Sequence, residues 1–181
     1  AIALDDLKIS GISNAIYNPE KYSLPSFRSI LTSDMKRDLP KYISDYANKD
    51  IQVFNVTDIV EFNNKDKLKH APYGQYIFNE IKEDKVSDSE LEQMKINTKS
   101  QATNYLNKIM TSNDFDIFIS VDNSMAGIAA AAHFPALTIP MGYRSDGQPS
   151  NITFIAKSKN EQLLYNIAYK KDNQSKRRVA P

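Results

Sequence analysis

The sequence predicts an α/β fold, with helices from about residue 24 to residue 112 covering strands that fall between residues 114 and 156. Three observations favour this class. Short, β-branched apolar runs of strand length are concentrated in the second half of the chain. A long stretch with helical apolar spacing precedes them, and a capped amphipathic segment follows them.

The first 23 residues have weak periodicity and predict an arm or linker. Gly11 and Pro19 interrupt any helix longer than two turns. The chain also begins with Ala1 rather than methionine. We therefore expect a piece of a longer polypeptide, with tag removal or methionine processing as the alternative.

Helices are predicted through most of the stretch from residue 24 to residue 82. Phe27, Ile30 and Met35 lie on one helical face of a segment that runs to Ala47. Pro40 predicts a kink or break near Asp38–Leu39, because proline lacks the amide hydrogen that the helix needs. Shorter helices follow, one capped by Thr57 and one over residues 76–82.

The longest predicted helix begins at a capping box formed by Ser87 and Glu90. Apolar and small residues at helical spacing continue from there to Met110. A second capping box, Ser158 with Glu161, predicts the closing helix.

Three short strands are predicted between these helices. They cover residues 115–121, 135–140 and 151–156, with an alanine-rich helix between the first two. The turn between the last two contains Gly147, which can adopt a positive φ. Pro135 and Pro140 should bound the second strand, because proline is excluded from a central ladder.

Composition excludes several function classes. The 23 basic and 22 acidic residues are interspersed, so no strong field for nucleic acid or an anionic membrane is expected. No apolar run approaches the length of a membrane span. There is no cysteine and there are only two isolated histidines, His70 and His133, so we expect neither disulfides nor a metal site, and no cofactor. A reducing, cytoplasmic location fits this composition.

The second half of the chain resembles the C-terminal end of the amidase signature family, the serine amide hydrolases that include peptide amidases and the A subunit of glutamyl-tRNA amidotransferase. The resemblance covers residues 114–181 best and residues 24–112 more thinly. It rests on the order of the following features: Pro135, Ile139-Pro140, Gly142-Tyr143, Asp146-Gly147-Gln148-Pro149 and the strand Ile152–Ile155.

This resemblance implies a mixed sheet with a helical layer. It also implies a domain organisation in which residues 1–23 are an arm or linker and residues 24–181 are the C-terminal part of an amidase domain. Within that part, residues 24–112 should be mainly helical and residues 113–181 a strand-rich α/β unit with a closing helix. The expected partners are a small-molecule or peptide amide substrate and the N-terminal catalytic part of the same protein.

Amidase signature enzymes use a nucleophilic serine, a bridging serine and a lysine base, with a glycine- and serine-rich loop for the oxyanion. The resemblance implies that these groups lie N-terminal to the region matched here, so no catalytic residue is assigned. The five glycines of this chain include no adjacent pair. The parent protein is therefore expected to be a hydrolase of C–N bonds, and this chain alone is expected to be inactive.

Two local features were considered as site candidates. Asp122, Ser124 and His133 have the residue types of a Ser-His-Asp triad, but Ser124 is in no nucleophile elbow, so a surface or capped histidine is the favoured interpretation. The segment Asp122, Asn123, Ser124 and Met125 follows a strand end, where ligands often bind. It is predicted to line a substrate pocket, with a solvated loop and an N-cap role for Asn123 or Ser124 as the alternative.

The sequence is compatible with two further functions. The chain could be a non-catalytic binding module descended from an amidase, whose exposed sheet edges need a partner or favour self-association. It could also be a relative of the tRNA-dependent amidotransferase subunit.

Overall fold

The described chain is helical up to residue 112 and carries its strands after that point, as the sequence predicts. The computed structural model describes residue 24, residues 26–112, residues 114–175 and residue 177. The predicted arm, residues 1–23, lies outside the described residues. The chain divides into two compact units, Pro25–Asn97 and a unit that contains Thr98–Pro181.

The first helix, α1, runs from Phe27 to Tyr46 and contains Pro40 in its interior. Of the predicted kink or break near residues 38–39, the break is therefore wrong, and the kink stays a prediction. Two side chains on the turn before the proline contact the segment after Ile81. Lys36 Nζ donates to the carbonyl of Lys82 at 3.0 Å, and Arg37 donates to the carbonyl of Val86 at 2.6 Å. These contacts anchor α1 one turn before the proline, whose place inside a helix typically costs about 3 kcal/mol.

Helix α2 runs from Val56 to Lys65, and its N-cap is Asn55 rather than the predicted Thr57. Asn55 Oδ1 accepts from the amides of Thr57 and Asp58 at 2.8 and 3.2 Å, and Asp58 Oδ2 accepts from the amide of Asn55 at 3.1 Å. The prediction fails because an asparagine two residues earlier completes a reciprocal capping box with the aspartate.

Helix α3 (Lys67–His70) has no buried residue, whereas helix α4 (Tyr76–Glu83) contributes Ile81 to the small core of this unit, which also contains Val56 and Val60. Helix α5 runs from Asp88 to Ser112. Its predicted capping box is confirmed, since Ser87 N donates to Glu90 Oε2 at 2.8 Å and Glu90 N donates to Ser87 Oγ at 3.3 Å.

The three described strands form one antiparallel sheet. They are β1 (Ile117–Val121), β2 (Ala136–Tyr143) and β3 (Pro149–Ala156), in the order β1-β3-β2. The α/β class is confirmed. The parallel pairing that a mixed sheet would include does not occur among the described strands.

Strand β2 extends past Pro140, which was predicted to end it. Proline is tolerated there because β2 is an edge strand of the described sheet and its register shifts between Pro140 and Gly142. The turn before β3 contains Gly147 at φ 83°, as predicted.

A short helix, α6 (Ala126–Ala132), lies between β1 and β2 in the chain. One face of the sheet packs against the closing helix α7 (Glu161–Ser175). The buried residues of this layer are Ile139, Ile152, Phe154, Ala156, Leu164 and Ala168. Helix α7 begins at Glu161, and the left-handed backbone of Lys159 (φ 68°) prevents Ser158 from being its N-cap, so that predicted capping box is wrong. Among the described helices, none is long and apolar enough to cross a membrane.

Candidate functional site

The candidate site is the loop Asp122–Met125, which connects the end of β1 to helix α6 (Ala126–Ala132). Four small or apolar residues of α6 are buried, so this short helix fixes the far end of the loop in the core. The near end is fixed by the antiparallel pairing of β1 with β3, which extends to Val121 opposite Ile152.

Asp122 connects this loop to the β2–β3 hairpin through both of its carboxylate oxygens. Oδ1 accepts from the backbone amide of Asn151 at 2.8 Å and from Ser150 Oγ at 3.4 Å. Oδ2 accepts from the Arg144 guanidinium at 2.5 Å. The carboxylate therefore has partners on both sides of the hairpin turn.

These contacts determine the ionisation of Asp122. The hydrogen bond from the Asn151 amide holds the pKa of the Asp122 carboxyl below its ordinary value of 3.8, and the positive charge of Arg144 acts in the same direction. Partial burial opposes both effects. The side chain is consequently an ion-paired carboxylate near neutral pH.

The backbone of Asp122 is held as firmly as its side chain. Its φ of 51° is left-handed, a region that aspartate visits more easily than most residues. Its amide donates to the carbonyl of Asn151 at 2.9 Å, and its own carbonyl accepts from the hydroxyl of Thr153. Thr153 in turn is hydrogen-bonded to Thr138 on β2 at 2.8 Å.

The other three predicted pocket residues differ in their exposure. Asn123 and Ser124 are exposed, whereas Met125 is 1% exposed and lies in the core. The Ser124 hydroxyl donates back to the carbonyl of Val121 at 3.0 Å. The N-cap of α6 is Met125 and has no side-chain cap bond, so the N-cap role considered for Asn123 or Ser124 is wrong. Whether this loop lines a substrate pocket stays a prediction.

The candidate triad is not assembled. His133 ends α6 in a left-handed conformation (φ 57°, ψ 38°) and is exposed. No hydrogen bond joins Asp122, Ser124 and His133 among the described residues, because the aspartate is held by Arg144 and Asn151 and the serine by Val121. The favoured interpretation of His133 as a surface capping residue agrees with this geometry.

No group of three or more potential metal ligands occurs among the histidines, aspartates and glutamates that the structure describes. The prediction that the chain binds no metal is not tested by this observation. The polar residues that do converge on the loop are hydroxyl, amide and guanidinium groups. These groups donate to the Asp122 carboxylate, so their hydrogen bonds are made within the chain.

Comparison with known proteins identifies structures with a similar fold. The chain superimposes on an amidase family protein from Bacillus anthracis with a TM-score of 0.79, at 26% identity over 93% of this chain. The fold is that of part of an amidase. The native peptide amidase from Stenotrophomonas maltophilia gives a TM-score of 0.75 at 20% identity over 87% of this chain, which supports the fold alone. The predicted resemblance to amidases is confirmed.

The match in sequence is weaker and also partial. A probable amidase from Arabidopsis thaliana is 21% identical over 141 residues, or 77% of this chain. No protein-family profile matches the chain. The chain spans 27% of the plant relative and 33% of the Bacillus anthracis protein, so it corresponds to about a third of an amidase, consistent with a C-terminal portion.

Three residues that hold the loop were not singled out by the sequence, namely Arg144, Ser150 and Thr153. They lie 22, 28 and 31 positions from Asp122. The only available signal was the predicted hairpin turn at Gly147, which brings the end of β2 and the start of β3 together. The antiparallel register that places both beside the end of β1 has no local signature.

Proposed function

We propose that this chain is the C-terminal part of an amidase that hydrolyses amide C–N bonds, and that it supplies scaffold and one wall of the substrate pocket. The reacting groups belong to polypeptide outside these 181 residues. The observation that carries the proposal is the amidase fold, with a TM-score of 0.79 over 93% of this chain but only 33% of the other.

The chemistry of amide hydrolysis supports this division. A serine nucleophile needs a base within hydrogen-bond reach, and the tetrahedral oxyanion needs donors that are already in place. Among the described residues, Ser124 is bonded to a backbone carbonyl and has no histidine partner. The full sequence contains no adjacent glycines that could form a tight oxyanion loop. The chain alone is therefore expected to be inactive.

The loop Asp122–Met125 is the part of the chain that we assign to the pocket wall. Its position directly after β1 and the exposure of Asn123 and Ser124 support this assignment. Amide and hydroxyl side chains can hydrogen-bond a substrate carboxamide without carrying net charge. The substrate class proposed is accordingly a small-molecule or peptide amide, bound without a metal or organic cofactor.

Exposed apolar residues in the unit Pro25–Asn97 support a polypeptide partner. They include Leu68 and Tyr73, which are 90% and 98% exposed. Exposed apolar patches on a protein surface often mark sites of interaction with another polypeptide. The proposed partner is the remaining, catalytic part of the same amidase. The proposed location is the cytoplasm, a reducing compartment that a chain without cysteine suits.

The experiment compares the 181-residue chain with the product of the complete reading frame that encodes it. Both are assayed for ammonia or amine release from a peptide C-terminal carboxamide and from a simple aryl amide. Turnover only by the longer product is expected. Turnover by the 181-residue chain, abolished by Ser124→Ala, would overturn the division of labour. A complete reading frame of 181 codons would overturn the proposal that the chain is part of a longer enzyme.

A further inference from the structure

We propose that Asp122 is a positioning residue, which fixes the loop Asp122–Met125 against the β2–β3 hairpin and thereby sets the orientation of Asn123 and Ser124. We call Asp122 and its four partners, Arg144, Ser150, Asn151 and Thr153, the clasp. The clasp rests on contacts within this chain alone, while its consequence for substrate binding rests on the proposed function.

The clasp restrains the loop from several directions. The carboxylate is held by Arg144, beyond the end of β2, and by the amide of Asn151 in β3. The backbone is held by two further hydrogen bonds, since the Asp122 amide donates to the Asn151 carbonyl and the Asp122 carbonyl accepts from the Thr153 hydroxyl. Hydrogen bonds that involve an ionised group are about twice as strong as neutral ones, so the two carboxylate contacts carry much of the restraint.

The clasp also determines which chemistry the loop can offer. The Asp122 charge is compensated by Arg144, and its oxygens already accept from the protein. Among the described residues, the other groups that face this carboxylate are uncharged: the Ser150 hydroxyl and the Asn151 amide. Asp122 therefore does not act as a ligand for a cationic substrate. The exposed polar groups of the loop are the Asn123 amide and the Ser124 hydroxyl.

The backbone conformation allows a clean variant. Asp122→Gly removes the carboxylate but accepts a φ of 51° without strain. Asp122→Asn keeps an oxygen acceptor for the Asn151 amide and removes the charge that faces Arg144. Asp114→Gly is the matched control, because Asp114 has nearly the same backbone conformation (φ 52°) and its side chain accepts no hydrogen bond from another described residue.

Amide hydrogen exchange of the 181-residue chain tests the clasp. In Asp122→Gly, the amides of Asn151 and Ala126 should exchange about tenfold faster, because local opening becomes easier when a restraint is removed. Asp122→Asn should fall between this variant and the wild type, and Asp114→Gly should leave both amides unchanged. If the amides of Asn151 and Ala126 exchange in Asp122→Gly at the same rate as in the wild type, the clasp is overturned. If that variant does not fold, Arg144→Ala is expected to accelerate the same two amides.

Kinetics of the longer product test the consequence for substrate. Asp122→Gly should raise KM for the carboxamide by about tenfold with a smaller change in kcat, as expected when a binding wall is displaced. Asp122→Asn should restore part of the loss, and Asp114→Gly should change neither constant. Faster exchange with unchanged KM and kcat would overturn the positioning role. If the wild-type longer product hydrolyses no amide, the proposed function fails, and the exchange result decides the clasp by itself.

Discussion

At the scale of single residues, Asp122 shows that a carboxylate at the end of a strand can have a structural role, holding a loop in place instead of binding a ligand. Its two oxygens bind the hairpin, and its negative charge faces Arg144. A loop residue of this kind is available to a ligand only if its own hydrogen bonds are broken first, which costs more for a charged group than for a neutral one. Asn123 and Ser124 are exposed and uncharged, and the Ser124 hydroxyl has a single neutral partner, the Val121 carbonyl, so contact with a ligand costs them less.

The lowered pKa of Asp122 predicts a defined dependence of stability on pH. A carboxyl group whose pKa is lower in the folded state stabilises the protein above its unfolded pKa, near 3.8, and this contribution is lost as pH falls through the lower, folded value. Asp122→Asn should therefore be less stable than the wild type from pH 5 to pH 7, and the difference should shrink below about pH 4. Urea unfolding across this range measures it. A difference that is constant down to pH 2 would contradict the prediction.

Two hydroxyls that face each other across β1 and β3 should differ in how their removal changes the stability of the protein. Ser120 is paired in register with Thr153, and its buried Oγ has no hydrogen-bond partner among the described residues. Ser120→Ala should be neutral or stabilising by up to about 1 kcal/mol, because a buried hydroxyl without a partner pays for desolvation. Thr153→Val keeps the β-branched shape but removes the bonds to Asp122 and Thr138, and should cost about 1–3 kcal/mol. Denaturant midpoints compare them, and equal effects would contradict the assignment of partners.

At the scale of elements, the cap of α2 can be assigned by a matched pair of variants. Asn55 accepts two backbone amides at the start of the helix, whereas Thr57 lies within its first turn. Asn55→Ala should cost about 1 kcal/mol, which is typical of a lost N-cap. Thr57→Ala should stay within about 0.5 kcal/mol. Unfolding midpoints test this, with exchange at the amide of Asp58 as a local probe. A larger loss in Thr57→Ala would restore the assignment made from the sequence.

The elements that the sequence predicted well are those specified by neighbouring residues. Ser87 and Glu90 are three positions apart and form the capping box that begins α5. Gly147 supplies the positive φ of its turn without help from distant residues. By contrast, α1 continues through Pro40, and the turn before the proline is anchored by contacts from Lys36 to Lys82 and from Arg37 to Val86, more than 40 positions away. The partners of Asp122 are likewise set by sheet register, which no local pattern encodes.

At the scale of the whole molecule, the partial coverage of its relatives explains why the fold could be predicted further than the site. The strands and closing helix of this chain bury a core of their own, so their pattern can be detected in the sequence. The proposed function assigns the reacting groups to the part of the relatives that this chain does not span, which is about two thirds of the length of the Bacillus anthracis protein.

The exposed apolar residues of the unit Pro25–Asn97 lead to a prediction about association. Leu68 and Tyr73 are almost fully exposed. Removing apolar surface from water lowers the free energy by roughly 25 cal/mol per Å². The 181-residue chain should therefore self-associate with rising concentration in light scattering. The double variant Leu68→Ser with Tyr73→Ser should shift this association to higher concentration.

Tyr169→Ser is the control for that measurement, because Tyr169 is 74% exposed on α7, outside the unit Pro25–Asn97. It should leave the association unchanged if the surface that includes Leu68 and Tyr73 is the one involved. The two functional hypotheses diverge at this point. A chain that needs the rest of an amidase leaves its contact surface open and associates, whereas an autonomous binding module stays monomeric and melts in a single cooperative transition. A monomer at every concentration would therefore favour the module over the amidase part.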